Sequence, residues 1–285
     1  MRTLLKRNIK LYFRDKPNLL ISLLAIAIII VLYTLFLGNF WGDELLQALP
    51  GYEVLKFGWL AAGILAVAAV TTSMGAFAVL MEDRTKKIYK GFFVSPLKRS
   101  GITGGYIFSA FTIGVIMSML AAILLGIYII AIGGELMGLI AYLQIMGVIL
   151  LSSLSSTAMV CFIVSLLRSN SAFNTASTIL GTLVGFLMGI YLPVGTLPEA
   201  MQMVIKLFPP SHTAMLFRQV IMENPMQAAF EGIPTEYLEE FQETMGVVYK
   251  FGDFESTPLI SIIVLVGSAV IFYGLSLLNI RKIGK

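Results

Sequence analysis

Long apolar blocks alternate with shorter polar segments along the 285 residues of the chain. About 20 apolar residues in an α-helix cross the hydrocarbon core of a bilayer, where a helix satisfies its own backbone hydrogen bonds. We therefore expect an all-α membrane protein in which residues 1–285 form a single transmembrane domain. The blocks of sufficient length predict six transmembrane helices: residues 19–37, 58–80, 107–132, 139–167, 172–192 and 258–280.

Composition indicates a membrane protein, and the distribution of charge predicts its orientation in the membrane. Hydrophobic residues make up 58% of the chain and charged residues 13%, with a mean hydropathy of +0.89, whereas soluble domains carry about 25% charged residues. Sixteen of the 20 Lys and Arg residues lie in the two terminal segments, the loop between spans 2 and 3 and the junction of spans 4 and 5. Since short basic loops stay in the cytoplasm, we expect a multi-pass cell-membrane protein with both termini cytoplasmic.

The N-terminal segment, residues 1–17, predicts a helix lying in the membrane interface. A helical projection gathers the apolar residues on one half and the basic residues on the other, so the basic stripe would face anionic headgroups. The two sets are Leu4, Leu5, Ile9, Tyr12 and Phe13, and Lys6, Arg7, Lys10 and Arg14. The segment could instead be only an orientation signal. No small-residue cleavage site follows the first apolar block before Trp41, so we expect the first helix to be retained.

The loop between spans 2 and 3 contains three consecutive apolar residues, Phe92 to Val94, between charged flanks. Ser95-Pro96 then stops any helix, because proline restricts the residue before it. The pattern favours a short helix that docks on the membrane or on a partner. Packing of the aromatic residues on the membrane surface is the alternative.

Taken together, these features resemble the permease subunits of type-2 ABC exporters, a bacterial transporter family. That family shows an acidic-Arg-acidic stretch, a Gly-Thr, an apolar pair and Ser-Pro in this loop; here Thr85 replaces the second acid and Lys87 replaces the glycine. The resemblance implies a cytoplasmic coupling helix that contacts separately encoded ATPase subunits, which bind ATP and Mg, and a second permease copy or related permease. The residues that it assigns to ATPase coupling are Asp83, Arg84, Ile88, Phe92, Phe93, Val94, Ser95 and Pro96.

Residues 193–257 form a long external segment that is expected to contain short helices. We predict one helix over 198–207 and another that starts at Ser211 as its N-cap. The prolines of this segment resemble the family's re-entrant external element, in which the first short helix dips into the outer leaflet; the matching prolines are Pro193, Pro198 and Pro209. An acidic stretch over 236–243 follows, which we interpret as a solvated face, with a contact for a cationic peptide as the alternative.

Small and polar residues inside the spans suggest packing and pathway roles. Gly181, Gly185 and Gly189 are spaced four apart, which predicts one helix face that permits close helix approach. By resemblance this face serves dimer or bundle packing, although glycine is common in membrane helices generally. The possible substrate pathway would be lined by Thr71, Thr72, Ser73, Asn174, Thr175 and Ser177.

The sequence contains no catalytic or metal-binding constellation. It has one His and one Cys, no Asp, Glu, Lys, Arg or His inside the six blocks, and no Gly-x-x-x-x-Gly-Lys-Ser/Thr loop for nucleotide phosphates. We therefore expect no enzyme activity, no cofactor in this chain and no nucleic-acid partner. The predicted function is the permease of an ATP-driven exporter of an amphipathic drug, antimicrobial peptide or lipid-linked glycan. The alternatives are an ion-coupled secondary transporter or channel, and a non-transporting membrane sensor or immunity subunit.

Overall fold

A computed structural model describes residues 2–16, 49–88, 99–252 and 254–283, together with the single positions 31 and 91. Within these ranges the chain is almost entirely helical. The helices are α1 (Arg2–Arg14), α2 (Tyr52–Thr85), α3 (Arg99–Ala131), α4 (Leu139–Leu166), α5 (Asn170–Leu187), α6 (Glu199–Leu207), α7 (Ser211–Ala229), α8 (Thr235–Thr244) and α9 (Pro258–Ile283).

Four of these helices are long and apolar enough to cross a membrane. They are Tyr52–Thr85, Gly101–Ala131, Leu139–Leu166 and Pro258–Asn279, and they contain most of the predicted spans 2, 3, 4 and 6. The predicted span 1, residues 19–37, lies outside the described residues. Four spans are therefore found in the described part of the chain where the sequence predicted six overall.

Helix α5 is shorter than the predicted fifth span of residues 172–192. It has 18 residues, about 27 Å at 1.5 Å per residue, and its first half is rich in Asn, Ser and Thr. The backbone leaves the helix after Leu187, and Gly189 has a φ of 62°. The prediction carried the helix five residues too far because the residues after Leu187 are apolar, although they form a turn.

Helix α2 is the centre of the bundle. It packs against α3, α4, α5 and α7, while α9 packs along α4 and α1 packs on α3. Trp59, Leu60, Leu65 and Phe77 of α2 are almost completely buried. The side chains of α3, α4 and α9 that point away from α2 are large, apolar and exposed, as expected where helices meet lipid.

The segment between α5 and α9 contains three helices and a short hairpin. Helix α7 is buried against α2, α4 and α9, while α6 has one buried side chain, Ile205. Ser211 is the first residue of α7 rather than its N-cap; its hydroxyl donates to the carbonyls of Ile205 and Phe208 instead. An antiparallel hairpin, β1 (Lys250–Phe251) with β2 (Phe254–Glu255), adds a small sheet that the sequence did not predict.

Candidate coupling and translocation sites

An ion pair joins the N-terminal helix α1 to the C-terminal end of α2. Arg7 Nη1 donates to Asp83 Oδ2 at 2.7 Å, and Nη2 donates to Oδ1 at 2.7 Å. The prediction that Arg7 belongs to the basic stripe facing headgroups was wrong for this residue. Because Arg7 is close to Leu4 on the helical projection, it lies at the edge of the buried side, where Leu4 and Asn8 pack.

The ion pair belongs to a polar network that also includes α3. Asp83 is 3% exposed, and the hydroxyl of Tyr106 donates to its Oδ2. Asn8 of α1 donates to Ser109 Oγ of α3 at 3.2 Å. The hydrogen bond to Asp83 raises the pKa of Arg7 above its ordinary value. The network fixes α1 where α2 ends and α3 begins, at the two roots of the loop between spans 2 and 3.

The described part of that loop is its first turn. Thr85 Oγ1 donates to the carbonyl of Met81, and Lys87 has a φ of 58° in the left-handed region. In the exporter permeases that this loop resembles, the position of Lys87 is occupied by glycine, which adopts this conformation without steric cost. Arg84 is half-buried and lines a small cavity beside Cys161. Ile88 is exposed, and the predicted coupling residues Phe92, Phe93, Val94, Ser95 and Pro96 lie outside the described residues.

The predicted pathway residues fall into three places. Thr71 and Ser177 line one cavity of about 170 Å³ between α2 and α5, together with Val70, Met74, Gly75, Phe173, Leu180 and Gly181. Ser177 Oγ is buried and has no hydrogen-bond partner in the described part of the chain. Ser73 faces α4 and pairs with Thr157 at 3.3 Å, and Thr72 is also buried. Asn174 and Thr175 lie on the exposed side of α5.

The three predicted packing glycines do not share one helix face. Gly181 is exposed, and a Cβ atom there would meet nothing within 4 Å. Gly185 contacts the chain's own Tyr191, whose ring leaves no room for a Cβ atom. Gly189 lies beyond the end of α5 with a φ of 62°. The expected face therefore ends at Gly185, because the helix stops before the third glycine is reached.

Arg218 of α7 lies at the centre of the segment between α5 and α9. Its side chain is fully buried, and Nη2 donates to the carbonyls of Met188 and Gly189 at 2.8 and 2.9 Å, while Nη1 donates to Gly246 O at 3.3 Å. Its guanidinium carbon lies 5.0 Å from the centroid of the Trp59 ring. Arg218 thus ties the turn after α5 and the turn after α8 to α2.

The prolines assigned to the re-entrant element mark the boundaries of these short helices. Pro193 precedes a single 3₁₀ turn, Pro198 is the N-cap of α6, and Pro209 lies between α6 and α7. The acidic residues Glu236, Glu239 and Glu240 of α8 are exposed.

His212 is buried at the start of α7. Its Nδ1 lies 3.0 Å from Ser261 Oγ, and its Nε2 lies 3.0 Å from the carbonyl of Lys206. Burial lowers the pKa of His212 below its ordinary value. Both ring nitrogens therefore have partners within the protein, as in a structural histidine. In the described part of the chain, no group of three or more His, Cys, Asp or Glu side chains could hold a metal ion.

The sequence did not predict that Arg7 and Arg218 each hold separate elements together through buried partners. Arg218 interrupts an apolar run between Phe217 and Val220, and a charged residue in an otherwise buried helix face is the signal that it has buried partners. Arg7 and Asp83 are 76 positions apart, and nothing in the sequence pairs them without the fold.

These observations define a multi-pass membrane protein with a bundle of apolar helices. A family model for the ABC-2 family transporter protein matches residues 47–278. The chain therefore belongs to the ABC-2 family of membrane transporter proteins. A comparison with curated proteins found no match.

Proposed function

We propose that this chain is the transmembrane subunit of an ATP-driven exporter that carries an amphipathic substrate. Two separately encoded ATPase subunits would bind ATP and Mg, and a second permease, identical or related, would complete the pathway. Membership of the ABC-2 family supports this assignment, since permeases of that family work with an ATPase subunit. An exporter of a drug, an antimicrobial peptide or a lipid-linked glycan fits a pathway without charged side chains.

The observation that carries the proposal is the Arg7–Asp83 pair at the root of the cytoplasmic loop. A force on the loop acts directly on the ends of α2 and α3, and the pair transfers it to α1. Packed elements that switch between two arrangements can carry such coupling. In this proposal, closure of the ATPases moves the loop of residues 86–98 and α1 as one unit.

The cavity between α2 and α5 is our candidate for part of the substrate pathway. The described residues of its walls are apolar except for the hydroxyls of Thr71 and Ser177, which suits a substrate with an apolar body and a few hydrogen-bonding groups. The exposed side of α5, which carries Asn174, Thr175 and Gly181, would face the second permease. In that case the two copies would enclose a larger pathway than either forms alone.

The coupling role is tested by co-purification with the candidate ATPase and by ATP-dependent export from reconstituted vesicles. Arg84→Glu and Phe93→Asp should each weaken assembly and export. Phe254→Asp is the matched control, because Phe254 is an exposed aromatic residue of β2 in the external segment. It should leave both measurements unchanged.

Two outcomes would contradict the proposal. Unchanged assembly and export in Arg84→Glu and Phe93→Asp would remove the coupling role of the loop. Substrate or ion flux through vesicles that contain this chain alone, without an ATPase, would favour a channel or a secondary transporter.

A further inference from the structure

The side of the bundle between α3 and α4 contains an apolar groove, which we call the lateral groove. Its volume is about 400 Å³, and its walls are mainly Ile, Leu and Met side chains of α3 and α4. Ala61 and Leu65 of α2 and Ile221 of α7 also line it. Among the described residues that line it, Glu135, in the turn between α3 and α4, supplies the one carboxylate, and Tyr142 supplies the phenol.

The surroundings of the lateral groove are apolar and exposed. Ile123 and Ile127 of α3 line it and are more than half exposed, and Tyr142 and Met146 of α4 line it and are partly exposed. Next to it, Leu124 and Leu143 are exposed as well. In a multi-pass membrane protein such a surface meets lipid rather than water. A molecule therefore enters the lateral groove from the membrane.

The size of the groove fits a flexible alkyl chain. It is more than twice the roughly 150 Å³ of an apolar cavity that binds benzene, and it falls within the range of about 300–1,000 Å³ for ligand pockets. Because hydrocarbon tails are as apolar as leucine, tail burial alone gives little preference for the groove over bulk lipid. Selectivity must come from shape and from the polar end.

The polar end carries a negative charge. Glu135 is exposed in the turn that joins the end of α3 at Ala131 to the start of α4 at Leu139, which places it at the level of the lipid headgroups when these helices span the bilayer. None of the described residues that line the groove is Lys or Arg. A carboxylate there favours a headgroup that carries an ammonium group.

We propose that the lateral groove binds an acyl chain of an aminophospholipid, with the lipid ammonium group beside Glu135. The occupant is a bilayer lipid rather than a soluble ligand, because the groove opens on the lipid-facing surface. This site is separate from the cavity between α2 and α5, and it does not depend on the proposed transport function.

Gly126 provides a direct way to fill the groove. It lines the groove at half exposure, and a Cβ atom there would meet nothing within 4 Å. Gly126→Phe should therefore place a ring in the groove without disturbing helix packing, and Gly126→Leu is a smaller version of the same change. Gly267→Phe is the matched control: Gly267 is a half-exposed glycine of α9 with equally open space, and it does not line the groove.

The experiment uses the full chain in bilayer nanodiscs, without an ATPase, and phosphatidylethanolamine with a photoreactive diazirine in its acyl chain. Labelled peptides are mapped by mass spectrometry. We expect labelling of α3 and α4 around Gly126 and Met146 in the wild type. We expect Gly126→Phe to reduce this labelling about tenfold, while Gly267→Phe leaves it unchanged. A tenfold weaker binding corresponds to a loss of about 1.4 kcal/mol of binding free energy.

The headgroup part is tested with Glu135→Gln and with a phosphatidylglycerol probe that carries the same acyl chain. An exposed ion pair contributes about 0.2–1 kcal/mol, so we expect the preference for phosphatidylethanolamine to fall by a factor of about 1.4 to 5 in Glu135→Gln. Equal labelling by the two probes in the wild type would overturn the headgroup assignment. Equal groove labelling in Gly126→Phe, Gly126→Leu and Gly267→Phe, or labelling only elsewhere in the wild type, would overturn the lipid site itself.

Discussion

The two ends of the bundle are each held by an arginine, but the partners differ in kind. Arg218, in the segment between α5 and α9, is fully buried and donates to backbone carbonyls of two turns. Arg7, at the other end, pairs with a side-chain carboxylate, Asp83, and its own side chain is 31% exposed. Backbone carbonyls cannot be separated from Arg218 unless the turns that carry them move.

This difference indicates which end of the bundle can rearrange. A buried cation without its acceptors is costly, whereas a partly exposed guanidinium regains water when its partner leaves. The partly exposed Arg7 can therefore keep its pair with Asp83 while α1 and the ends of α2 and α3 move together, whereas the two turns cannot leave α7 without depriving a buried cation of its acceptors. The comparison supports the proposal that the network around Asp83 moves with the loop, while the segment between α5 and α9 stays rigid.

The largest effect is expected for Arg218→Met. Three carbonyls that accept from Arg218 would lose their donor in a buried site, and each unsatisfied group costs about 1–3 kcal/mol. We expect the free energy of unfolding to fall by about 3–5 kcal/mol, measured by denaturant unfolding in detergent micelles. Arg218→Lys should give an intermediate loss, because its ammonium group cannot match the planar donor geometry of arginine. A loss below about 1 kcal/mol in Arg218→Met would contradict the anchoring role.

The Arg7–Asp83 pair should respond asymmetrically to the loss of each partner. Arg7→Gln removes the arginine from the buried Asp83 carboxylate, which keeps the Tyr106 hydroxyl, and we expect the free energy of unfolding to fall by about 2–3 kcal/mol. Asp83→Asn leaves a guanidinium that water can reach, and we expect the free energy of unfolding to fall by about 1 kcal/mol. Denaturant unfolding of both single variants and of the double variant measures the coupling. Additive losses, or a larger loss in Asp83→Asn, would contradict the geometry.

The two ends of the bundle also differ at the residues whose backbone adopts the left-handed conformation. Gly189 has a φ of 62°, and a Cβ atom there would lie 3.0 Å from Val194 Cγ2 and 3.3 Å from Arg218 Nη2. Lys87 has a φ of 58° with a side chain already present. A residue with a Cβ atom is destabilised by about 1–2 kcal/mol in the left-handed conformation. We therefore expect Gly189→Ala to lower the free energy of unfolding by that amount and Lys87→Gly to raise it by about 1 kcal/mol. Thermal unfolding compares the two, with the exposed Gly181→Ala as a control that should not destabilise.

Long apolar blocks made the spanning helices α2, α3, α4 and α9 predictable. Their pattern is set by the bilayer, which requires about 20 apolar residues and internal hydrogen bonds. The end of α5 was not predictable in this way, because the residues after Leu187 are apolar whether they continue a helix or form a turn. The turn depends on Arg218, which binds the carbonyls of Met188 and Gly189 from another helix.

The candidate sites were predictable to different degrees. Thr71 and Ser177 were selected as polar residues in apolar helices, and the fold does bring them to one cavity. Ser73 was selected by the same criterion, yet it faces Thr157 in the bundle, since residues two apart in a helix, such as Thr71 and Ser73, point to nearly opposite sides. Arg7 lies at the edge of the buried side of the helical projection, and it was assigned to the headgroup side because its partner Asp83, 76 positions away, is brought to it only by the fold.

The smallest effect concerns the pH dependence of stability around His212, at the start of α7. The folded-state pKa of His212 is lower than its unfolded value of 6.5 because the ring is buried. The unfolded chain therefore binds a proton more readily, so the stabilisation by neutral His212 is complete above pH 6.5 and is lost as pH falls toward the folded pKa. The slope cannot exceed about 1.4 kcal/mol per pH unit for one group. Thermal unfolding between pH 5 and 8 should show this decline in the wild type and a weaker one in His212→Gln, whereas identical pH profiles would show that His212 does not titrate in this range on unfolding.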